Sequence, residues 1–119
     1  MPQFNEVVLL GHLAKEPELS YLTNQTAVCN FAIAVNDSWK NAEGTKQERV
    51  MFIDCSLFGK RGEALRKYLK KGDPVLICGK LVFEQWKSKS GDNRSKHKLQ
   101  VREFSFVGGK KKGDDDANS

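Results

Sequence analysis

The stretch VMFIDCSLFGK, Val50 to Lys60, decides the fold class. Apolar and polar side chains alternate along it with a period of two, which predicts a β-strand over residues 50–58. One face of this strand is expected to point into the core, with Met51, Ile53, Cys55 and Leu57. The opposite face carries Phe52, Asp54, Ser56 and Phe58. Two aromatic rings are therefore predicted to face water, which calls for a functional explanation.

Two further strands are predicted upstream. Residues 5–13, NEVVLLGHL, are apolar on both alternating faces, which indicates a strand covered on both sides, with a neighbouring subunit as one candidate for the second cover. Residues 26–36, TAVCNFAIAVN, alternate between larger apolar residues and small or polar ones, as in a half-buried strand. The polar segment 38–49, SWKNAEGTKQER, is expected to form a long hairpin loop.

A short helix is predicted after the strand at 50–58. Leu65, Tyr68 and Leu69 recur at helical spacing, and basic residues occupy the positions between them. This pattern predicts a basic amphipathic helix over residues 62–71, with Gly72 as its C-terminal cap. We expect its lysines to form a solvated face.

Two strands are predicted in the last third of the chain, at residues 74–86 and 97–107. The alternation of the second slips between Val101 and Phe104, which indicates a β-bulge. The connection between them, KSKSGDNRSK at residues 87–96, contains a Ser-Gly-Asp turn and is rich in lysine and arginine. We expect an exposed basic hairpin tip there.

This order of elements, three strands, a helix and two strands, indicates the fold class. It predicts an all-β protein, a five-stranded Greek-key barrel of the OB type, with one short helix between strands 3 and 4. A small open sheet with one covering helix has the same order and is the alternative. We place the domain at residues 1–109 and expect residues 110–119, KKKGDDDANS, to form a short disordered charged tail.

The charge is unevenly distributed along the 119 residues, whose formal net charge is +5. Residues 1–59 carry four Lys and Arg against seven Asp and Glu, a net of −3, whereas residues 60–109 carry thirteen against five, a net of +8. Such asymmetry fits a polyanionic partner, although a basic solvated face is also common in proteins that bind no nucleic acid.

Several classes of protein are disfavoured by what the sequence lacks. It has no apolar run of about 20 residues and no secretory signal, so we expect no membrane association. Its three cysteines are widely spaced within apolar runs, which favours buried thiols in a reducing compartment. Motifs of phosphate-binding loops, zinc sites and hydrolases are missing. We therefore expect no enzymatic activity, no cofactor and no metal.

Five segments in order resemble the bacterial single-stranded DNA-binding protein family over about residues 5–109. They are VVLLGHLAKEPELSY, TAVCNFAIAVNDSW, SLFGK, YLKKGDPVLICGKL and W followed by SGDNR. The resemblance implies an OB-fold domain that assembles as a homotetramer, with a dimer as the alternative. It also implies sequence-independent binding and protection of single-stranded DNA during replication, recombination and repair, in the bacterial cytoplasm at the nucleoid or in an organelle, phage or plasmid system.

The resemblance also implies roles for particular residues. The base-stacking aromatics carried over are Trp39, Phe52, Phe58 and Trp86, with Phe52 standing where a tryptophan is usual. The cations around these rings that we expect to neutralise phosphates are Lys60, Arg61, Lys80, Lys87, Lys89, Arg94, Lys96 and Lys98. The doubly apolar first strand supplies the expected oligomer interface: Val7, Val8, Leu9 and Leu10.

Other interpretations of these residues remain open at this point. The rings could pack under loops or in a subunit interface, and the tryptophans could close the barrel ends. An OB scaffold that binds protein and an RNA-binding OB module are the alternative functions.

The tail differs from that of the family. The resemblance implies recruitment of replication and repair proteins through an apolar Pro-Phe terminus, whereas this chain ends Ala117-Asn118-Ser119. We therefore expect weak docking through its tail.

Overall fold

The computed structural model describes residues 3–107, which form six strands and one helix. The tail at residues 110–119 lies outside the described residues. The elements, in chain order, are β1 (Val7–Leu13), β2 (Glu18–Tyr21), β3 (Ala27–Lys40), β4 (Lys46–Phe58), α1 (Lys60–Tyr68), β5 (Pro74–Lys87) and β6 (Asn93–Phe106).

Five of the strands close into a barrel in the order β1-β5-β6-β4-β3, and β3 returns to β1. The return pairing is short and joins His12 to Ala34 and Leu13 to Ile33. The pairing of β4 with β6 is parallel and is limited to residues 55–57 and 99–101, whereas the other pairings are antiparallel. The predicted OB-type barrel with one helix after its third strand is confirmed, and the open sheet is excluded.

The core lies inside the barrel and is closed at one end by α1. Its largest fully buried side chains include Leu13, Phe31, Ile33, Leu57, Leu65, Ile77 and Leu99. Leu69 is also buried, but Tyr68, which helical spacing placed on the same face, is exposed and touches Phe106 edge to face. The inward set predicted on β4 is correct for Cys55 and Leu57, and Ile53 is partly buried against the core.

The burial of two side chains on β4 differs from the prediction. Met51 is 43% exposed, because β4 has already left the barrel at that point. Ser56 faces away from the core but is buried, and its Oγ donates a hydrogen bond to Asn30 Oδ1 at 2.7 Å. A small hydroxyl can be covered on an outer face when it has such a partner, since its hydrogen bonding is then satisfied.

The predicted loop at 38–49 is mostly strand. β3 and β4 stay paired as far as Lys40 and Lys46, so that only residues 41–45 form the turn. Asn41 Oδ1 accepts the backbone N–H groups of Glu43 and Thr45, which fixes this turn. We call residues 36–50, which project beyond the barrel, the β3–β4 arm. Both of its faces are wet, so its sequence lacks the apolar alternation of a core strand.

β5 and β6 form a second projecting hairpin, residues 82–98, which we call the β5–β6 arm. The predicted basic tip at 87–96 is present, but strand pairing continues to Lys87 and Asn93, leaving a turn of residues 88–92. The predicted bulge is confirmed: Cys78 pairs with Glu103 and Gly79 with Val101, so that Arg102 is the extra residue.

The boundaries of two elements differ from the prediction. The sequence does not predict β2, because its four residues alternate only weakly and only one of them, Leu19, is half-buried.

The helix begins at Lys60 and ends at Tyr68 instead of spanning 62–71. Gly59, with φ +84°, makes the turn directly out of β4, a conformation that favours glycine. Gly72 is not the helix cap: it lies in the following turn and donates its N–H to Leu13.

The cysteines follow the prediction of buried thiols in two of three cases. Burial raises the pKa of the Cys29 thiol to about 11 and that of Cys55 to about 12. Cys78 is only partly buried. Within residues 3–107, no helix is long and apolar enough to cross a membrane.

Gly79 provides a test of the barrel geometry. A Cβ at this position would lie 2.3 Å from the carbonyl oxygen of Gln100, on the backbone of β6, so a side chain forces the two strands apart beside the bulge. We expect Gly79→Ala to lower the free energy of unfolding by about 1–3 kcal/mol in urea denaturation. Ser95→Ala, in the exposed β5–β6 arm, should change it by less than about 0.5 kcal/mol. Equal effects of the two substitutions would contradict the close strand approach.

Candidate nucleic-acid interface

Three of the four predicted stacking residues share one face of the sheet. Because Cys55, Leu57 and Leu99 point into the core, the alternate positions of β4, β6 and β5 point outward. Cross-strand pairs such as Trp86 with Arg94 and Ser56 with Gln100 place these positions side by side. We call this surface the outer face. Its chemically informative residues are Phe52, Asp54, Phe58, Lys80, Glu84, Trp86, Arg94, Lys96 and Lys98.

The rings of the outer face are open to water in the single chain. The exposed fractions are 65% for Phe52, 44% for Phe58 and 46% for Trp86. Loops within residues 3–107 therefore do not cover these rings, which disfavours one of the alternatives raised by the sequence. Phe52 and Phe58 are separated by six residues, or about 20 Å along the strand.

Lys96, on β6, contacts a residue on each of the two neighbouring strands of the outer face. Its ammonium donates a 2.8 Å hydrogen bond to Asp54 Oδ2 and lies 5.9 Å from the centre of the Trp86 ring. The hydrogen bond from Lys96 lowers the pKa of the Asp54 carboxyl below its ordinary value, while partial burial acts in the opposite direction. A negative charge therefore sits among the aromatic rings and is balanced by a lysine that the sequence assigned to phosphate contact.

The other predicted cations occupy different surroundings. Lys98 lies 3.6 Å from Glu84, and its side chain is largely covered. Lys80 and Arg94 are exposed on the outer face, and Lys87 and Lys89 lie at the end of the β5–β6 arm. These four make no salt bridge with any residue in the described part of the chain. They are therefore available to a ligand, as is Lys60 at the start of α1 by the same criterion.

Arg61 is already engaged by the protein. Its Nε lies 3.0 Å from Glu103 Oε1, a second guanidinium nitrogen donates to the carbonyl of Phe104, and the group stacks over the Phe104 ring at 4.3 Å. These contacts fasten α1 to the end of β6. A phosphate contact by Arg61 would have to compete with all of them.

Trp39 lies on the opposite side of the sheet from Phe52. Trp39 is on the same side of β3 as the core residues Phe31 and Ile33. It lies beyond the barrel, on the β3–β4 arm, where it pairs with Gln47. The guanidinium of Arg49 lies 4.8 Å from its ring centre, and the ring is 42% exposed. Trp39 is thus exposed as predicted, but the register does not bring it to the outer face.

The predicted oligomer strand has two different sides. Val7 and Leu9 pack against the core, whereas Val8 and Leu10 are more than half exposed. Val8 lies opposite Cys78 and Leu10 opposite Leu76, both partly buried, so that an apolar strip continues onto β5. Within residues 3–107, the backbone of residues 7–10 pairs only with β5, which leaves the other edge of β1 open.

Sequence reasoning missed two features here. The Asp54–Lys96 pair joins residues 42 positions apart, and it depends on a strand register that the sequence does not reveal. Phe83, opposite His97, is a further exposed ring that a search for family motifs overlooks. No cluster of His, Cys, Asp and Glu suited to a metal occurs among the residues that the structure describes.

The sequence matches known proteins over most of its length. The profile of the Single-strand binding protein family matches residues 4–107. A single-stranded DNA-binding protein of Wolinella succinogenes is 38% identical over 107 residues, which is 90% of this chain and 66% of that protein. One from Helicobacter hepaticus is 36% identical over 112 residues, 94% of this chain and 66% of that protein. The chain thus spans slightly less than two thirds of the length of these relatives.

Solved structures share the fold at lower sequence identity. A structure described as the Plasmodium falciparum SSB complex with ssDNA superposes with a TM-score of 0.84 at 19% identity, over 91% of this chain and 98% of that one. A deletion mutant of the Thermus aquaticus single-stranded DNA binding protein gives 0.79 at 23% identity, over 89% and 51%. These similarities support the barrel described above.

The Asp54–Lys96 contact is testable by titration. Removing the ammonium with Lys96→Met should raise the pKa of Asp54 toward its ordinary value of 3.8, as measured by carboxyl NMR. In the wild type, the stabilisation from this contact is fully present above that value and is lost as the pH falls through the lower folded-state pKa. Its size should be below about 1 kcal/mol, because the pair is partly exposed.

Glu6 serves as the internal control in the same spectra. Its pKa is lowered by a hydrogen bond from Arg102, a contact that involves neither Lys96 nor Asp54, and should not move. An unchanged Asp54 pKa in Lys96→Met would show that the contact does not persist in solution.

Proposed function

Because the chain belongs to the single-strand binding protein family, we propose that it binds single-stranded DNA without sequence preference and without catalysis. The observation that carries the proposal is the outer face, where Phe52 and Phe58 on β4 and Trp86 on β5 are exposed on either side of β6, among positive side chains. In this role the protein protects DNA strands during replication, recombination and repair in the bacterial cytoplasm, at the nucleoid.

The chemistry of an unpaired strand fits this surface. Each base offers a flat π-face, and stacking on an aromatic side chain contributes about 1–3 kcal/mol per base. Phosphates attract Lys80, Arg94 and the lysines of the β5–β6 arm, and their neutralisation releases counter-ions. Neither contact reads base identity, which explains the proposed lack of sequence preference. In duplex DNA the base faces are already stacked, so a flat array of rings gains little from it.

A titration with oligo(dT) tests this function. We expect oligo(dT) to quench tryptophan emission, an equally long duplex to do so weakly, and the affinity to fall as salt rises. Trp86→Ala and Phe58→Ala should each weaken binding about 5- to 150-fold, measured by anisotropy of labelled oligo(dT). Neither should lower the melting temperature much, since both rings are exposed.

Phe106→Ala is the matched control for these variants. Phe106 is 62% exposed, but it lies at the far end of β6 beside Tyr68, and its loss should leave binding unchanged. Absence of binding by the wild type at low salt would overturn the proposal. Tighter binding of a matched RNA would favour the RNA-binding alternative instead.

We further propose that the protein acts as a homo-oligomer, a tetramer or a dimer, assembled through β1. Support comes from the exposed Val8 and Leu10 and from the open backbone edge beside them. An exposed apolar strand with free N–H and C=O groups is a template for pairing with another chain. A second copy is the natural partner, since two identical strands can pair about a twofold axis.

Light scattering coupled to gel filtration tests the assembly. We expect the wild type to give the mass of two or four chains and the double variant Val8→Lys, Leu10→Lys to give a smaller mass, because it places charges in the interface. Leu22→Lys, which charges an exposed leucine outside β1, should keep the wild-type mass. A monomeric wild type, or a double variant of unchanged mass, would contradict the β1 interface.

A further inference from the structure

Phe83 and His97 form an aromatic pair on the reverse side of the β5–β6 arm. They lie directly opposite each other on β5 and β6, with ring centres 5.0 Å apart and planes tilted by 46°. Phe83 is 54% exposed, which is more than Trp86. Alternation places it on the face opposite Trp86, three residues away or about 10 Å along the strand.

The segment of β5 next to Phe83 is held on both of its edges. One layer below Phe83, Leu81 pairs with the fully buried Leu99, which belongs to the core. On the other edge of β5, the Asn5 side chain donates to the Leu81 carbonyl at 2.9 Å and accepts the Leu81 N–H at 3.0 Å. Phe83 is therefore the first position beyond the anchored part of the sheet, and His97 fixes one side of its ring.

Positive charge continues around the arm from the Trp86 face to the Phe83 face. Arg94 lies opposite Trp86, whereas Lys87 falls on the Phe83 side by alternation. Lys89 lies in the turn between the two strands. None of the three has an acidic partner in the described residues. A strand of DNA that passes from Trp86 around the tip of this two-stranded arm thus meets cations on its way.

We propose that Phe83, held in place by His97, is a further base-stacking position, so that single-stranded DNA contacts both faces of the β5–β6 arm. This inference rests on the proposed function and extends its binding site. The arm supplies a half-exposed aromatic ring and three cations that make no salt bridge in the described residues, which together suit a base and its phosphates. His97 acts as a positioning residue in this arrangement, since it orients the ring that stacks.

The Tyr68–Phe106 pair is an exposed aromatic pair in a different part of the molecule from Trp86. Its ring centres are 6.2 Å apart, and Phe106 also packs edge to face against the buried Phe104. It lies at the helix end of the molecule, away from both arms. Phe106→Ala therefore removes a comparable exposed ring and serves as the matched control.

The test uses the full chain and oligo(dT) long enough to cover one OB domain, about 16 nucleotides. Phe83→Ala should weaken binding about 5- to 150-fold, as should Phe83→Leu, which keeps apolar bulk but has no π-face. Phe83→Trp should restore wild-type affinity, and Phe106→Ala should not change it. His97→Ala should produce a smaller loss than Phe83→Ala.

Photocrosslinking supplies a direct readout. Oligo(dT) carrying 5-iodouracil should crosslink within the tryptic peptide 81–87, and fragmentation should assign part of the product to Phe83 and part to Trp86. If the wild type and Phe83→Ala bind equally and no product maps to Phe83, the inference fails while the proposed function stands. If the wild type does not bind at all, the proposed function fails first. A lower oligomer mass in Phe83→Ala would overturn the inference by making Phe83 a subunit contact.

Discussion

Alternation of side chains on strands that close into a barrel constrains the rest of this protein. Closure fills the interior with one set of side chains, Phe31, Ile33, Leu57 and Leu99 among them, and commits the alternate set to the outside. Phe52 and Phe58 are exposed because they alternate with side chains of β4 that face the core. Trp86 lies on the continuation of the same outer face, where the β5–β6 arm projects beyond the barrel. The proposed binding surface is therefore not a separate addition to the fold: it is the outer side of strands whose inner side makes the core.

The sequence predicted the parts of the fold that face the core and missed those that do not. The barrel strands and the bulge at Arg102 follow from apolar alternation, which exists only where one face is buried. The β3–β4 arm leaves the barrel and loses this signal, so that residues 38–49 were expected to form a loop. β2 is too short to show a period, and the helix starts early because Gly59 turns the chain directly out of β4.

The candidate site was predictable in composition but not in arrangement. Exposure of Phe52 and Phe58 follows from local alternation, whereas the separation of Trp39 from them depends on how the arm continues past the barrel. The engagement of Arg61 by Glu103, and of Lys96 by Asp54, depends on contacts between residues 42 positions apart. Nothing in a list of cations distinguishes a lysine that is free to meet a phosphate from one that is already bound.

For the proposed binding of DNA, the Asp54–Lys96 contact has a consequence for how affinity varies with ionic strength. A phosphate that captures Lys96 displaces a carboxylate that is covalently attached and cannot diffuse away. Asp54 thus acts as a tethered counter-ion: once freed, its carboxylate attracts a cation from solution, which offsets one of the cations released from the DNA phosphates. The number of ions released on binding is therefore smaller than the number of positive side chains on the surface, and dilution of the buffer strengthens this contact less than the others.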